Sequence, residues 1–308
     1  GSEDYLLPIA KRKIEEADCL IGAKRLIGLF RNLGKEEVPI EGHFDKILSY
    51  IKKSRGKKRI AVLVSGDPGI YSFLEKLSQG LDKKDYAVIP GISALSLAFA
   101  RIGKSWYNAK IISLHGRRVK NLAAKLEGSP KTILFTDTNS TPDKIARRLL
   151  REGLENRKVT VLENLSYPDE KVVETDLIRL SRTKGWGLCV MILGDVPKGD
   201  TLSHGGKLYG VGLGPGDPGL VTLKAKEILD KVDTIFVPKS KEDSSSWARK
   251  IVEAVVTTEK NFVELTFPMT TDKSMLNKFW SSAALKIVNK INKGKDAAFV
   301  TIGDPFIY

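Results

Sequence analysis

Cysteine and histidine are scarce in this sequence, with two cysteines and three histidines among 308 residues. Cys19 and Cys189 stand far apart, each among apolar residues, which argues against a disulfide framework and against a metal cluster. No serine or cysteine stands in a pattern typical of an activated nucleophile. We therefore predict two buried thiols in a reducing compartment and no metal site.

Long apolar runs are absent as well. No stretch approaches the roughly 20 consecutive apolar residues that cross a bilayer, and none resembles a signal peptide. We expect no membrane partner and a cytoplasmic location. The sequence also begins without an initiator methionine, and both of its ends fall inside patterned sequence, which favours a fragment of a longer chain.

Acidic residues are in deficit, since 51 Lys and Arg stand against 37 Asp and Glu, for a formal net charge of +14. Such an excess favours anionic partners, among them nucleic acid, anionic lipid and polycarboxylates. The basic residues are scattered, however, with only short clusters such as Lys52–Lys58 and no interleaved aromatic residues, as on solvated helix faces. We predict no nucleic-acid partner.

The sequence is organised around VSGDPGIY at 64–71. An apolar run at 59–64 predicts a buried parallel strand, and an amphipathic pattern over 70–79 predicts a helix after it. Gly66 lets the backbone turn sharply and lets a ligand approach closely, while Asp67 suits a helix N-terminus. Open α/β sheets bind ligands at such carboxyl ends of strands. The same residues also suit a plain strand-to-helix turn.

Strands alternate with helices over 1–116, which predicts a doubly wound α/β domain. The loop VIPGISAL, 88–95, opens an apolar helix, and SLHGR, 113–117, follows the last strand. The other elements that the pattern indicates are helices at 5–18, 23–31 and 44–53 and strands at 19–22, 87–89 and 109–114.

A second α/β domain is predicted over 117–198, followed by a Gly- and Ser-rich linker at 199–206. Its predicted elements are helices at 119–126, 142–152 and 177–184 and strands at 131–135, 158–164, 172–175 and 188–193.

Beyond the linker the start of the chain recurs. Residues 216–237 align with 1–22, and 296–308 align with 59–71. Repeats of this length indicate a duplicated domain. We therefore predict that 207–308 is the N-terminal α/β domain of a second, truncated module. The same alignment predicts that the first module lacks its first strand.

The strand that opens the second module runs into a glycine-rich loop. Its candidate site residues, with those of the repeated turn, are Gly212, Gly214, Pro215, Gly216, Gly303 and Asp304. Gly214-x-Gly216-x-x-Gly219 also matches the dinucleotide fingerprint, but prolines stand inside the turn and no suitable acidic residue follows. A dinucleotide-dependent oxidoreductase therefore stays open as an alternative from another class.

Together, GVGLGPGDPGLVTLKA, VSGDPGIY, VIPGISALSLAFARIG and SLHGR resemble the motifs of the tetrapyrrole methylases, S-adenosylmethionine-dependent enzymes of cobalamin and sirohaem synthesis. Residues 1–198 are similar to the members that methylate C5 of cobalt-precorrin-7 or precorrin-6Y. Residues 207–308 are similar to the N-terminal half of the precorrin-2 C20-methyltransferases. The resemblance implies the tetrapyrrole methylase fold, with two α/β domains per module and the cofactor cleft between them. A methylase of the same superfamily acting on RNA or another tetrapyrrole stays open.

The resemblance also implies the site. The residues expected along S-adenosyl-L-methionine are Gly66, Asp67, Ile70, Ser93, Ala94 and Thr136. The polycarboxylate tetrapyrrole would face Gly1 and Ser2, which remain from the first glycine loop, and Arg117 would pair with one of its carboxylates or be a surface residue. His115 is a candidate for catalytic proton transfer, the alternative being a hinge histidine bonded to backbone. The resemblance further implies a homodimer and a C15-methyltransferase/decarboxylase partner.

Overall fold

A computed structural model of the chain describes residues 2–42, 44–194, 206–240, 246–291 and 294–305. The chain divides into two units, Gly1–Ser2 with Lys13–Gly199 and Glu3–Arg12 with Asp200–Tyr308. The linker predicted at 199–206 lies outside the described residues, except for Gly206. Within the described ranges no helix is long and apolar enough to cross a membrane.

The first unit contains a three-stranded parallel sheet. Its strands are β1 (Cys19–Gly22), β2 (Glu36–Pro39) and β3 (Ile60–Leu63). The helices along this part of the chain are α1 (Pro8–Glu16), α2 (Lys24–Ile27), α3 (Phe44–Ser54), α4 (Leu74–Gly80) and α5 (Ala94–Arg101). The strand order is β2-β1-β3, so β1 is central and wholly buried. Cys19 and Ile21 of β1 pack against Ile47 of α3, as a parallel strand covered by helices requires.

A five-stranded mixed sheet forms the rest of this unit. Its strands are β4 (Lys110–Ser113), β5 (Lys131–Phe135), β6 (Lys158–Glu163), β7 (Lys171–Asp176) and β8 (Cys189–Gly194). The accompanying helices are α6 (Leu122–Leu126), α7 (Pro142–Arg151) and α8 (Leu177–Leu180). The order is β4-β5-β8-β6-β7, with only β4 and β5 parallel.

Both cysteines are free and buried, which confirms the predicted buried thiols. Burial raises the pKa of the Cys189 thiol to about 12 and also raises the pKa of Cys19. Because the thiolate is the reactive form, both sulfurs serve as core atoms.

The second unit contains a four-stranded parallel sheet. Its strands are β9 (Leu208–Gly212), β10 (Thr234–Lys239), β11 (Asn261–Thr266) and β12 (Ala297–Thr301). Its helices are α9 (Leu223–Lys231), α10 (Trp247–Val255) and α11 (Lys273–Ile291). The order β11-β10-β12 corresponds to β2-β1-β3 of the first unit. β12 has β9 as a further neighbour, whereas in the described ranges β3 pairs with β1 alone.

Two predicted helices start late. The helix expected from Ile70 begins at Leu74, because Tyr71 has a left-handed backbone with φ of 49° that no α-helix accommodates. The helix expected from Val119 begins at Leu122 for the same reason, since Asn121 has φ of 51°.

Three strand predictions also need correction. Residues 87–89 form no strand; Val88 is 46% exposed, and no neighbouring strand in the described ranges pairs with this segment. β4 belongs to the five-stranded sheet beside β5, not to the doubly wound sheet of the preceding residues. β2 was not predicted, because its sequence EEVP is polar and ends in proline, which suits only an edge strand.

An ion pair joins the starts of β1 and β3. The backbone N–H of Arg59 donates to Asp18 Oδ2 at 2.8 Å, and its guanidinium Nη2 donates to Oδ1 at 3.0 Å. These hydrogen bonds from the Arg59 side chain and backbone lower the pKa of Asp18 to about 2. An unfolded aspartate titrates near 3.9, so the bonds favour the folded state wherever the carboxylate is ionised.

We predict that Asp18→Asn lowers the melting temperature at pH 7. The loss should shrink as pH falls from about 4 towards 2, because a lowered folded-state pKa stabilises only above it. Thermal melts followed by circular dichroism between pH 2 and 7 measure this. Asp82→Asn, at an exposed residue whose side chain caps no helix, is the matched control and should leave the pH profile unchanged. An Asp18→Asn loss that is constant down to pH 2 would contradict the prediction.

Candidate functional site

The VSGDPGIY turn follows β3 and is held by its own aspartate. Gly66 has φ of 72°, which favours glycine. Asp67 Oδ1 accepts the backbone N–H of Gly69 at 2.7 Å, and Asp67 O accepts that of Ile70 at 3.1 Å. The carboxylate therefore closes the turn. It does not cap a helix as the sequence suggested, since α4 starts at Leu74.

The same carboxylate joins this turn to the PGISAL loop. Asp67 Oδ2 accepts the backbone N–H of Gly91 at 3.2 Å. A Cβ on Gly91 would lie 2.4 Å from Gly66 O, and a Cβ on Gly66 would lie 3.3 Å from Ser93 Cα. The two loops are thus in main-chain contact that only glycine permits. The structure brings together four of the predicted cofactor residues: Gly66, Asp67, Ser93 and Ala94.

Ser93 begins helix α5. Its buried Oγ accepts the backbone N–H of Ser96 at 3.0 Å and lies 3.0 Å from Ser96 Oγ. An N-cap of this kind satisfies a helix donor that otherwise lacks a partner. The hydroxyl of Ser93 is therefore engaged at the start of the helix.

SLHGR meets the turn after β5. His115 Nδ1 lies 3.2 Å from Thr136 O, and the backbone N–H of Gly116 donates to Asp137 Oδ2 at 2.8 Å. A carbonyl oxygen only accepts, so the contact assigns a proton to Nδ1. Thr136 is buried, and its Oγ1 donates to Cys189 O at 2.6 Å. Its side chain therefore anchors the end of β5 to β8.

Asp137 belongs to this candidate site, although it was not among the residues predicted from the sequence. Its Oδ1 accepts the backbone N–H groups of Asn139 at 2.9 Å and Ser140 at 2.6 Å. Partial burial alone would raise the pKa of this carboxyl, but the donors from Gly116, Ser140 and Asn139 outweigh it and lower the pKa. The sequence TDTNS carries part of this signal, because an aspartate before such residues favours a turn closed by its side chain.

Tyr71 links the two halves of the site. Its ring meets the ring of Phe135 edge-on, with centroids 6.1 Å apart. The Arg117 guanidinium carbon lies 4.9 Å from the Tyr71 ring centroid. The turn after β3, the SLHGR segment and the end of β5 therefore converge on one place.

Arg25 also connects the turn to a distant loop. It donates to Ser65 Oγ at 2.6 Å through Nη2 and to Tyr167 OH at 3.0 Å through Nη1. No sequence motif pointed to Arg25, because its partners lie far along the chain. Ser2, expected to face the substrate, donates its backbone N–H to Ser166 Oγ at 3.0 Å. Gly1 lies outside the described residues.

In the second unit the glycine-rich loop meets the repeated turn. The Gly303 N–H donates to Gly214 O at 2.8 Å, and a Cβ on Gly212 would lie 2.5 Å from Gly303 O. Gly216 has φ of 132°; exposed Pro215 lies between these glycines, and Asp304 follows Gly303. Helix α9 begins only at Leu223, so the third glycine of the dinucleotide pattern, Gly219, does not open an α-helix.

In the first unit, the residues around the turn after β3 suit an adenosine-type cofactor. Tyr71 and Ile92, which are 45% and 36% exposed, offer apolar surface beside glycine main chain that a ligand can approach. In the described part of the chain, no three His, Cys, Asp or Glu side chains are grouped to hold a metal ion.

Solved structures share this fold. A cobalt precorrin-4 methyltransferase matches with a TM-score of 0.53 and 20% identity, over 63% of this chain and 90% of that chain. A uroporphyrin-III C-methyl transferase from Thermus thermophilus, complexed with S-adenyl homocysteine, matches with a TM-score of 0.53 and 20% identity, over 63% and 92%. The chain thus has the α/β fold of the tetrapyrrole methyltransferases. The family model of Tetrapyrrole (Corrin/Porphyrin) Methylases matches residues 1–180 and 207–308, and the chain belongs to this family.

Curated relatives match different segments. A probable cobalt-precorrin-7 C(5)-methyltransferase of Methanocaldococcus jannaschii is 32% identical over 178 residues, 56% of this chain and 83% of that protein. A probable cobalt-precorrin-2 C(20)-methyltransferase of the same organism is 48% identical over 102 residues, 33% of this chain. The chain spans less than half, 43%, of the length of that second relative.

We predict that Gly91→Ala destabilises the protein by about 1–3 kcal/mol, the range typical of overpacking. Its new Cβ would lie 2.4 Å from the Gly66 carbonyl oxygen and must displace one loop. Thermal or denaturant unfolding measures the loss. Gly28→Ala is the matched control, because Gly28 has φ of −56° and nothing lies within 4 Å of its Cβ position. Equal effects of the two substitutions would contradict the loop contact.

We predict that Asp137→Asn speeds hydrogen exchange at the Gly116 and Ser140 amides, because the charged acceptor is lost. The substitution should also destabilise the protein above about pH 4, and this loss of stability should fade as pH falls. The reason is that the pKa of Asp137 in the folded state is lowered below the unfolded value near 3.9. Hydrogen exchange at pH 7 and thermal melts from pH 3 to 7 test both statements. Asp169→Asn, which removes the charge from an exposed acceptor of Asn164, should change neither amide. Unchanged protection at Gly116 in Asp137→Asn would refute this role.

Proposed function

We propose that the first unit catalyses S-adenosylmethionine-dependent C-methylation of a corrinoid precursor in cobalamin biosynthesis, at C5 of cobalt-precorrin-7 or precorrin-6Y. The observation that carries the proposal is the contact between the Gly66–Asp67 turn and the Gly91–Ala94 loop through one carboxylate. Support for the C5 position comes from the relative that this chain covers over 83% of its length.

In this proposal the cofactor lies along the joined loops. Its contacts are Gly66, Asp67, Ile70, Ser93, Ala94 and Thr136. When bound, S-adenosylmethionine would supply the methyl group: its S–CH3 bond breaks, S-adenosylhomocysteine leaves, and the substrate carbon that gains the methyl loses a proton. The chain itself orients that carbon and excludes water, which are the main demands of such a transfer.

His115 is proposed to receive the proton. Its Nδ1 proton is held by Thr136 O, which leaves Nε2 as the acceptor on an exposed ring. Arg117 is proposed to bind a substrate carboxylate, and the net charge of +14 favours the approach of a polycarboxylate. Gly1 and Ser2 are proposed to lie on the substrate side, as the repeat with the second glycine loop suggests.

The remaining proposals rest on the resemblance. Residues 1–116 and 117–198 are proposed as the two domains of a first module, and 207–308 as the N-terminal domain of a C20-type module. There, Gly212, Gly214, Pro215, Gly216, Gly303 and Asp304 form the glycine loop. A relative named precorrin-6Y C(5,15)-methyltransferase [decarboxylating], of which the chain covers 40%, supports a C15 partner. We also propose a homodimer and a cytoplasmic location.

Ligand stabilisation tests the proposed function. S-adenosylhomocysteine at about 100 times its Kd should add roughly 2.7 kcal/mol to the stability of the chain, and NAD should add nothing. Differential scanning fluorimetry measures both. Gly91→Ala should lose the shift, while Gly28→Ala should keep it. A shift with NAD and none with S-adenosylhomocysteine would overturn the assignment.

A further inference from the structure

A cavity of about 490 Å³ lies beside the Asp67 turn. It is lined by Pro68–Ser72, by Leu74, Glu75 and Ser78, and by Ile111 and Arg117. Of the proposed cofactor residues only Ile70 lines it. The cavity therefore adjoins the cofactor loops but is built largely from other residues.

Tyr71 is placed in this cavity by an unusual backbone. Its φ of 49° is rare for a bulky side chain and persists only where surrounding contacts fix it. Those contacts include Ser72, whose Oγ donates to Pro68 O and accepts the N–H of Leu74. The edge-on contact with Phe135 then fixes the ring beneath the Arg117 guanidinium. Tyr71 is thus a platform that orients the arginine.

Arg117 is held by an exchangeable partner. Its Nη2 donates to Glu75 Oε2 at 3.3 Å, and the two side chains are 48% and 66% exposed. Exposed single contacts of this kind are weak. A guanidinium presents five donors and prefers a bidentate carboxylate. A carboxylate that arrives from a ligand can therefore replace Glu75.

We propose that this cavity binds a carboxylate side chain of the tetrapyrrole substrate. Arg117 is its ligand, Tyr71 orients Arg117, and Glu75 is the carboxylate that the substrate displaces. The proposal rests on the proposed function for the identity of the substrate. Removing the charge of Arg117 should therefore weaken substrate binding, because Arg117 attracts the substrate. Removing the charge of Glu75 should strengthen it, because Glu75 competes with the substrate for Arg117.

The test is titration of the full chain with uroporphyrin, a stable carboxylated porphyrin, followed by porphyrin fluorescence. Arg117→Met should weaken binding about tenfold, equivalent to about 1.4 kcal/mol. Glu75→Gln should tighten binding about threefold. Arg117→Lys, which keeps the charge but loses the fork, should fall between wild type and Arg117→Met. Arg179→Met is the control for charge alone, because Arg179 lies on α8 and is largely exposed.

The outcomes separate the two proposals. Equal weakening by Arg117→Met and Arg179→Met, or weakening by Glu75→Gln, overturns the cavity assignment. Thermal melts of each variant identify any that fail to fold. The porphyrin affinity of Arg117→Lys then shows whether the bidentate geometry of the guanidinium contributes to binding. S-adenosylhomocysteine stabilisation is measured on the same samples. If S-adenosylhomocysteine does not stabilise the chain but the variants change porphyrin binding as expected, the proposed methyltransferase function alone is refuted. If S-adenosylhomocysteine stabilises the chain but the variants do not change porphyrin binding as expected, the cavity proposal alone is refuted.

Discussion

The bidentate use of the Asp67 carboxylate is the interaction on which the site depends. One oxygen closes the turn after β3 on Gly69, and the other accepts from Gly91 of the following loop. Without this carboxylate, the N–H groups of exposed Gly69 and partly buried Gly91 would lose these acceptors. The cost of an unsatisfied donor then falls mainly on Gly91, because the N–H of Gly69 can bond to water. The close approach also needs glycine at 66 and 91, since a Cβ at 91 would overlap a carbonyl oxygen. Asp67, Gly66 and Gly91 therefore both hold the turn together and leave its main chain open to a ligand.

Much of the fold could be predicted from the sequence. Apolar runs located β1, β3, β5 and β8, whereas the matching strand order of the two parallel sheets was not predicted, because β2 was not recognised. Both thiols lie in the core, as their apolar neighbours indicated. What was missed depends on contacts between distant residues. The late start of α4 follows from the backbone of Tyr71, and Asp137 meets Gly116 from another strand end. No local pattern encodes such pairings.

The turn after β3 and its repeat after β12 contact different neighbouring segments. In the second unit Gly303 is bonded to Gly214 of the glycine loop, and β12 lies between β10 and β9. In the first unit Gly66 is met by Gly91, and in the described ranges β3 has β1 as its sole strand neighbour. The glycine of the motif has a left-handed backbone in both copies, with φ of 72° at Gly66 and 80° at Gly303, although its neighbours differ.

The outer edge of β3 has a consequence for handling the protein. All four residues of this strand are only half-buried, and an edge of apolar residues is a template for pairing with a strand of another molecule. Lys58 and Arg59, immediately before β3, are paired with Glu36 and Asp18, so they place little net charge at this edge. Repulsion between copies comes instead from the net charge of +14 on the whole chain, and added salt screens that repulsion.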